Sequence, residues 1–107
     1  MATLDSVTDQ DFDRQVLWSE IPVLVDFWAT WCGTCRSLMP TLEDISAEYA
    51  GKVRIVKINA DENPQAVENY GIFSLPTMIL FRNGRVVTQL GGTIGKTHIL
   101  DCIKNYA

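Results

Sequence analysis

The feature that most narrows the fold is an order of segments. An apolar strand-like run, a helical stretch and a second strand-like run follow one another between Pro22 and Asn59 with no linker between them. Pro22-Val23-Leu24-Val25-Asp26-Phe27-Trp28 is short, β-branched and aromatic, the pattern of a buried strand, and Asp26 interrupts it. From Cys32 onward, Leu38, Met39, Leu42, Ile45, Ser46 and Tyr49 keep a 3.6-residue period as far as Gly51, which predicts a helix kinked at Pro40. Val53 to Asn59 is again strand-like, so the three segments form a βαβ unit.

The flanking segments extend this pattern. Thr8-Asp9-Gln10-Asp11 resembles a helix cap, and with Phe12, Val16 and Leu17 at helical spacing it predicts a first helix over residues 8–18. Asn63-Pro64 places a capping residue before a proline, opening a short helix toward Tyr70-Gly71. Thr77 to Arg82 and Arg85 to Leu90 flank Asn83-Gly84, a pair that accepts the positive φ of a type I′ turn, so they form a hairpin. The sheet is therefore mixed. Ile99, Cys102, Ile103 and Tyr106 make one apolar stripe on a C-terminal helix that covers a sheet face.

Composition sets the class. With 107 residues, 47% hydrophobic and 21% charged, the chain reads as a single domain over residues 1–107, and disordered, collagen-like and disulfide-scaffold classes drop out. The net charge of −4 and the lack of a long Lys/Arg run argue against nucleic acid or an anionic membrane as the partner. The N-terminus has neither a basic nor an apolar leader region, and no apolar run is long enough to span a bilayer. The expected location is the cytoplasm, or a stromal or organellar compartment if a targeting segment has been removed, and the expected state is a monomer.

The three cysteines are Cys32, Cys35 and Cys102. Trp31-Cys32-Gly33-Thr34-Cys35 falls where a strand hands over to a helix, so Cys32 belongs at the helix N-terminus and Cys35 one turn on. Free amide N–H groups and the positive end of the helix dipole there favour the Cys32 thiolate as the attacking sulfur, with Cys35 resolving the mixed disulfide. The bland alternatives are a structural cysteine pair or half of a zinc site, which would need further ligands such as His98 and Cys102. Cys102 is better read as a small core residue and His98 as solvated.

A carboxylate inside an apolar strand is desolvated, which raises its pKa and suits Asp26 to take a proton from Cys35. Lys57, on what should be the adjacent strand, is its candidate partner, and a purely structural ion pair is the alternative. Ser74-Leu75-Pro76-Thr77 precedes a strand, and either a cis or an ordinary trans bond fits it. A cis bond would leave the Leu75 N–H and C=O free for an extended substrate. Trp31, Ile72, Phe73, Leu75 and the Gly91-Gly92-Thr93 turn would then form an apolar patch around the cysteines.

These residues resemble the thioredoxin family from Val23 through Gly92. The likeness rests on Asp26-Phe27-Trp28-Ala29, Trp31-Cys32-Gly33-x-Cys35, Pro40, Lys57, Asp61, Pro64, Tyr70-Gly71-Ile72, Pro76-Thr77, Phe81, Asn83-Gly84 and Gly92. The resemblance implies an α/β thioredoxin fold with a central mixed five-stranded sheet flanked by about four helices, and a cis-Pro76. It also implies a Cys32/Cys35 pair cycling between dithiol and disulfide, with no separate cofactor. Electrons would come from a thioredoxin reductase, NADPH- or ferredoxin-linked, and pass to disulfide-containing target proteins. Substrate contacts would fall on Trp31, Gly33, Thr34, Ile72, Phe73, Leu75, Pro76 and Gly92. The main departure is Thr34, where the family most often has proline; Phe73 and Ser74 beside the cis-proline are smaller ones. Threonine restores an N–H and adds a hydroxyl, both available to the Cys32 thiolate, so a less reducing member is expected. The competing readings are a disulfide isomerase or oxidase, a glutathione-using enzyme, and a binding module that uses the Trp31/Leu75/Pro76 surface.

Overall fold

The computed structural model describes residues 4–92 and 94–107; Met1–Thr3, and Thr93 in the patch expected around the cysteines, lie outside the described residues. Within the described residues five strands, β1 (Asp5–Ser6), β2 (Val23–Trp28), β3 (Arg54–Asn59), β4 (Thr77–Arg82) and β5 (Arg85–Gly91), form one sheet in the order β1-β3-β2-β4-β5. β3 runs parallel to both β1 and β2, whereas β4 is antiparallel to β2 and β5, so the sheet is mixed. Among the described residues, three α-helices, α1 (Gly33–Glu48), α2 (Pro64–Asn69) and α3 (Lys96–Ile103), and a π-helical segment (Asp13–Leu17) flank it.

β2 is the central strand, and Val23 through Phe27 are all buried because both of its faces are covered. Alternation sends Val23, Val25 and Phe27 into one core, with Phe12, Val16 and Phe81 under the π-helical segment and α2. Leu24 points into the other, with Leu42, Ile45, Met78 and Ile103 under α1 and α3. The Asp26↔Met78 and Leu24↔Leu80 registers place Asp26 on this second face. The buried stripe of α1, Cys35, Leu38, Leu42 and Ile45, lies over the same face.

Three local readings change. The helix expected over residues 8–18 shrinks to the π-helical segment, with the Trp18 N–H reaching the Asp13 carbonyl at 2.9 Å. Its cap survives in part, because Asp11 Oδ1 accepts the Thr8 N–H at 2.7 Å. Asn63 stands at the N-cap of α2 without capping it. Its Oδ1 accepts the Asp9 N–H, while Asp9, 54 residues earlier, takes the N–H groups of Gln65 and Ala66 at 3.0 and 2.9 Å. Cys102 is only half-buried, since Ile99 and Ile103 carry the contact of α3 with the core. The expected helix with Pro40 inside it is present as α1, and the proline ring leaves the Arg36 carbonyl without its helical N–H.

The hairpin turn follows its chemistry. Asn83 and Gly84 have φ of 54° and 76°. A Cβ on Gly84 would also stand 3.2 Å from the Leu17 carbonyl oxygen, so the turn closes against the π-helical segment.

Candidate redox site

β2 ends at Trp28, and five residues later α1 begins, so the connecting loop delivers Cys32 to the N-cap of α1. Its extended backbone (φ −90°, ψ 104°) points the side chain back over the first turn, where Cys32 Sγ accepts the Cys35 N–H at 3.2 Å. Thr34 Oγ1 lies 3.4 Å from the same sulfur. Cys32 and Cys35 are joined as a disulfide with their Cα atoms 5.3 Å apart. Cys35 is fully buried and Cys32 retains 6% exposure, so the two sulfurs differ in access to a partner. Both pack with Ala29, and Trp28 and Leu75 close over them.

Asp26 lies on the sheet face that α1 covers. Its side chain is fully buried, and among the described residues neither carboxylate oxygen has a hydrogen-bond partner. Burial pushes its pKa up to about 7, while the positive charge of Lys57 pulls the other way. Lys57 is directly opposite Asp26 in the β2/β3 register, yet it is half-buried and not deep in the interior. Its ammonium sits 5.3 Å from the centroid of the Trp28 ring, and no ion pair with Asp26 forms among the described residues. The pairing foreseen from the sequence is therefore a through-space influence.

The Leu75–Pro76 bond is cis. Among the described residues the Leu75 N–H and C=O have no hydrogen-bond partner, whereas the Pro76 carbonyl accepts the Gly92 N–H at 3.2 Å. That bond ties the proline loop to the end of β5, where Gly92 holds a φ of 78°.

Six of the expected substrate-facing residues line two separate clefts, and Gly33 and Pro76 line neither. Trp31, Ile72, Phe73 and Leu75 line one of about 210 Å³ together with Asp61 and Ser74. Thr34 and Gly92 line the other, of about 160 Å³, with Ser37 and Ile94. Phe73 is 96% exposed and Trp31 67%, whereas Ile72 is almost wholly buried and supplies the floor. Gly33 is exposed, and a Cβ there would meet nothing nearer than the Arg36 guanidinium at 4.0 Å.

Asp61 is the site residue that chemical reading of the sequence missed. Its Oδ2 accepts the Trp31 indole N–H at 2.8 Å and holds that exposed ring as a wall of the first cleft. The 30-residue separation leaves no local pattern to betray the bond; only the family likeness singled out Asp61. His98 and Cys102, weighed as further ligands, line a separate cleft with Thr88, Leu90 and Asp101. Among the described residues no group of three or more His, Cys, Asp or Glu side chains is placed to hold a metal ion.

Comparison with known proteins agrees with this geometry. The Thioredoxin family model matches residues 3–105. The chain is 43% identical to thioredoxin 1 of Nostoc sp. and 45% identical to thioredoxin of Synechocystis sp., each over 106 residues covering 99% of both chains. It is 48% identical to thioredoxin of Rickettsia felis over 99 residues, 92% of this chain and 94% of that one.

Proposed function

Because this chain belongs to the thioredoxin family and is a thiol–disulfide oxidoreductase of the protein-disulfide reductase type, we propose that Cys32 attacks, Cys35 resolves and Asp26 takes the Cys35 proton. The carrying observation is the N-cap position of Cys32, with the Cys35 N–H aimed at its sulfur. A thiolate there gains a charge-assisted hydrogen bond and the positive end of the helix dipole.

The Cys32 thiolate attacks one sulfur of a target disulfide, forming a mixed disulfide and releasing the other target sulfur as a thiolate. The Asp26 carboxylate accepts the proton of Cys35, and the Cys35 thiolate then attacks Cys32 Sγ. The Cys32–Cys35 disulfide forms, the second target thiolate leaves, and two electrons have passed to the target. Lys57 tunes the ease with which Asp26 ionises. A target segment lies along the free Leu75 main chain beside Pro76, with Trp31, Ile72 and Phe73 in one cleft, Thr34 and Gly92 in the other, and the exposed Gly33 next to Thr34.

Family members work with a thioredoxin reductase and with disulfide-bearing targets in general. For this chain we read an NADPH- or ferredoxin-linked reductase as the electron source, residues 1–107 as one domain, a monomeric state, and the cytoplasm or an organelle interior as its place. Among the described residues no helix is long and apolar enough to cross a membrane. Reduction of a generic disulfide substrate, coupled in turn to each reductase type, tests activity and electron source together; a chain that turns over with neither has another electron source. Replacing Asp26→Asn should slow mixed-disulfide resolution near neutral pH, and an unchanged rate across pH would remove Asp26 from the proton path.

Thr34 sets the potential. Its hydroxyl, 3.4 Å from Cys32 Sγ, donates to the thiolate of the reduced form and so stabilises that form. A bond of about 1.5 kcal/mol raises the reduction potential by about 30 mV. Redox titration against Thr34→Pro measures it, and a parent potential equal to or below that of the variant would refute the assignment.

A further inference from the structure

The far end of the β4–β5 hairpin carries an arrangement that the redox chemistry does not use. Arg82 ends β4 and Arg85 opens β5, and the register sets them directly opposite each other, so both side chains leave the same face of the sheet. Like charges in that relation repel. The ion pairs among the described residues join Arg14, Arg54 and Lys104 to aspartates, and none reaches Arg82 or Arg85. This occurs in a chain with a net charge of −4, where carboxylates are plentiful. The Arg82 guanidinium instead lies 5.8 Å from the centroid of the Tyr106 ring. The two arginines, Asn83, Val86, Val87 and Tyr106 line an open cleft of about 570 Å³.

β5 beside this cleft is the outermost strand of the sheet, seven residues long, with Val86 50% exposed. It contains neither proline nor lysine, and the register shift opposite Leu80 and Phe81, with Val87 as the extra residue, falls past the Arg85–Val86 end. A strand laid along it would project the side chain paired with Arg85 onto the arginine face, and a carboxylate there would relieve the repulsion between the two guanidinium groups. We propose that the free edge of β5, with Arg82 and Arg85, docks an extended acidic segment of a partner protein. Arg85 and Gly91 stand at opposite ends of β5, roughly 20 Å apart, so the arginine pair lies at the end of the strand away from Gly92 and its cleft.

The probe is an acetylated, amidated seven-residue peptide alternating valine and glutamate, titrated into the intact protein. Binding should slow hydrogen exchange at β5 amides and shift their resonances. A glutamine version of the peptide, and the Arg82→Gln/Arg85→Gln variant, should each bind at least about tenfold more weakly. The variant should keep the disulfide-reduction rate and melt no lower than the parent, so that lost binding is not lost folding. Equal affinity for the glutamine peptide, unchanged affinity in the variant, or shifts confined to the Trp31–Phe73 cleft would overturn the proposal. Inorganic phosphate reproducing the same β5 shifts would overturn it in favour of a small-anion site.

Discussion

Phe27 and Asp26 are neighbours on β2, both fully buried and pointing to opposite faces of the sheet. Phe27 enters a core of apolar and aromatic groups, where Phe12, Tyr70 and Phe81 meet ring to ring with centroids 5.2–5.6 Å apart. Asp26 enters the other core, otherwise as apolar, with both oxygens unpartnered among the described residues. One face is therefore arranged for stability alone. The other accepts a destabilising carboxylate on the face that α1 covers, so burial stabilises one side of β2 and costs stability on the other.

The largest expected effect is on the stable face. Phe27→Ala should cost about 3–5 kcal/mol, and the loss read from denaturant unfolding should be the same at pH 5 and pH 8; a pH-dependent loss would break the contrast. On the other face, Asp26 has a folded pKa of about 7 against an ordinary 3.8. The unfolded carboxyl therefore ionises first, and the parent loses stability as pH rises from about 4 to about 7, by about 4 kcal/mol. Asp26→Leu should remove that slope, so the variant gains on the parent across the window and then holds its lead. A parent with a flat stability profile would show that Asp26 ionises normally. The smallest effect sharpens the picture: Lys57→Met removes the cation that favours the carboxylate, so the Asp26 midpoint followed by NMR should move upward, by less than about 1.4 kcal/mol in equivalent free energy.

Elements with a repeating pattern or turn chemistry were legible in the sequence: the buried run of β2, the apolar stripe of α1 and the Asn83-Gly84 hairpin. β1 was not read from the residues, because two residues, Asp5 and Ser6, carry no periodicity, and their strand character comes from pairing with Val56 and Lys57. The cysteine pair and buried Asp26 were legible because both break a local pattern. The Trp31–Asp61 bond, the cap that Asp9 supplies to α2, and the seat of Lys57 over Trp28 depend on contacts between separate segments, which spacing along the chain does not encode. The π-helical turn was masked by helix-like spacing at Phe12, Val16 and Leu17, which a one-turn segment satisfies as well as a long helix does.

The carboxylate of Asp9 matters for anyone cutting or extending this chain near its start. It grips the first amides of α2, and the segment that leaves α2 runs directly into Ile72 and Phe73 at the first cleft. A truncation past Asp9, or a fusion that pulls it away, would free the N-terminal end of α2 and loosen that wall while leaving both cysteines in place. The damage would be read as a poorer fit for targets, with the intrinsic chemistry of the disulfide preserved.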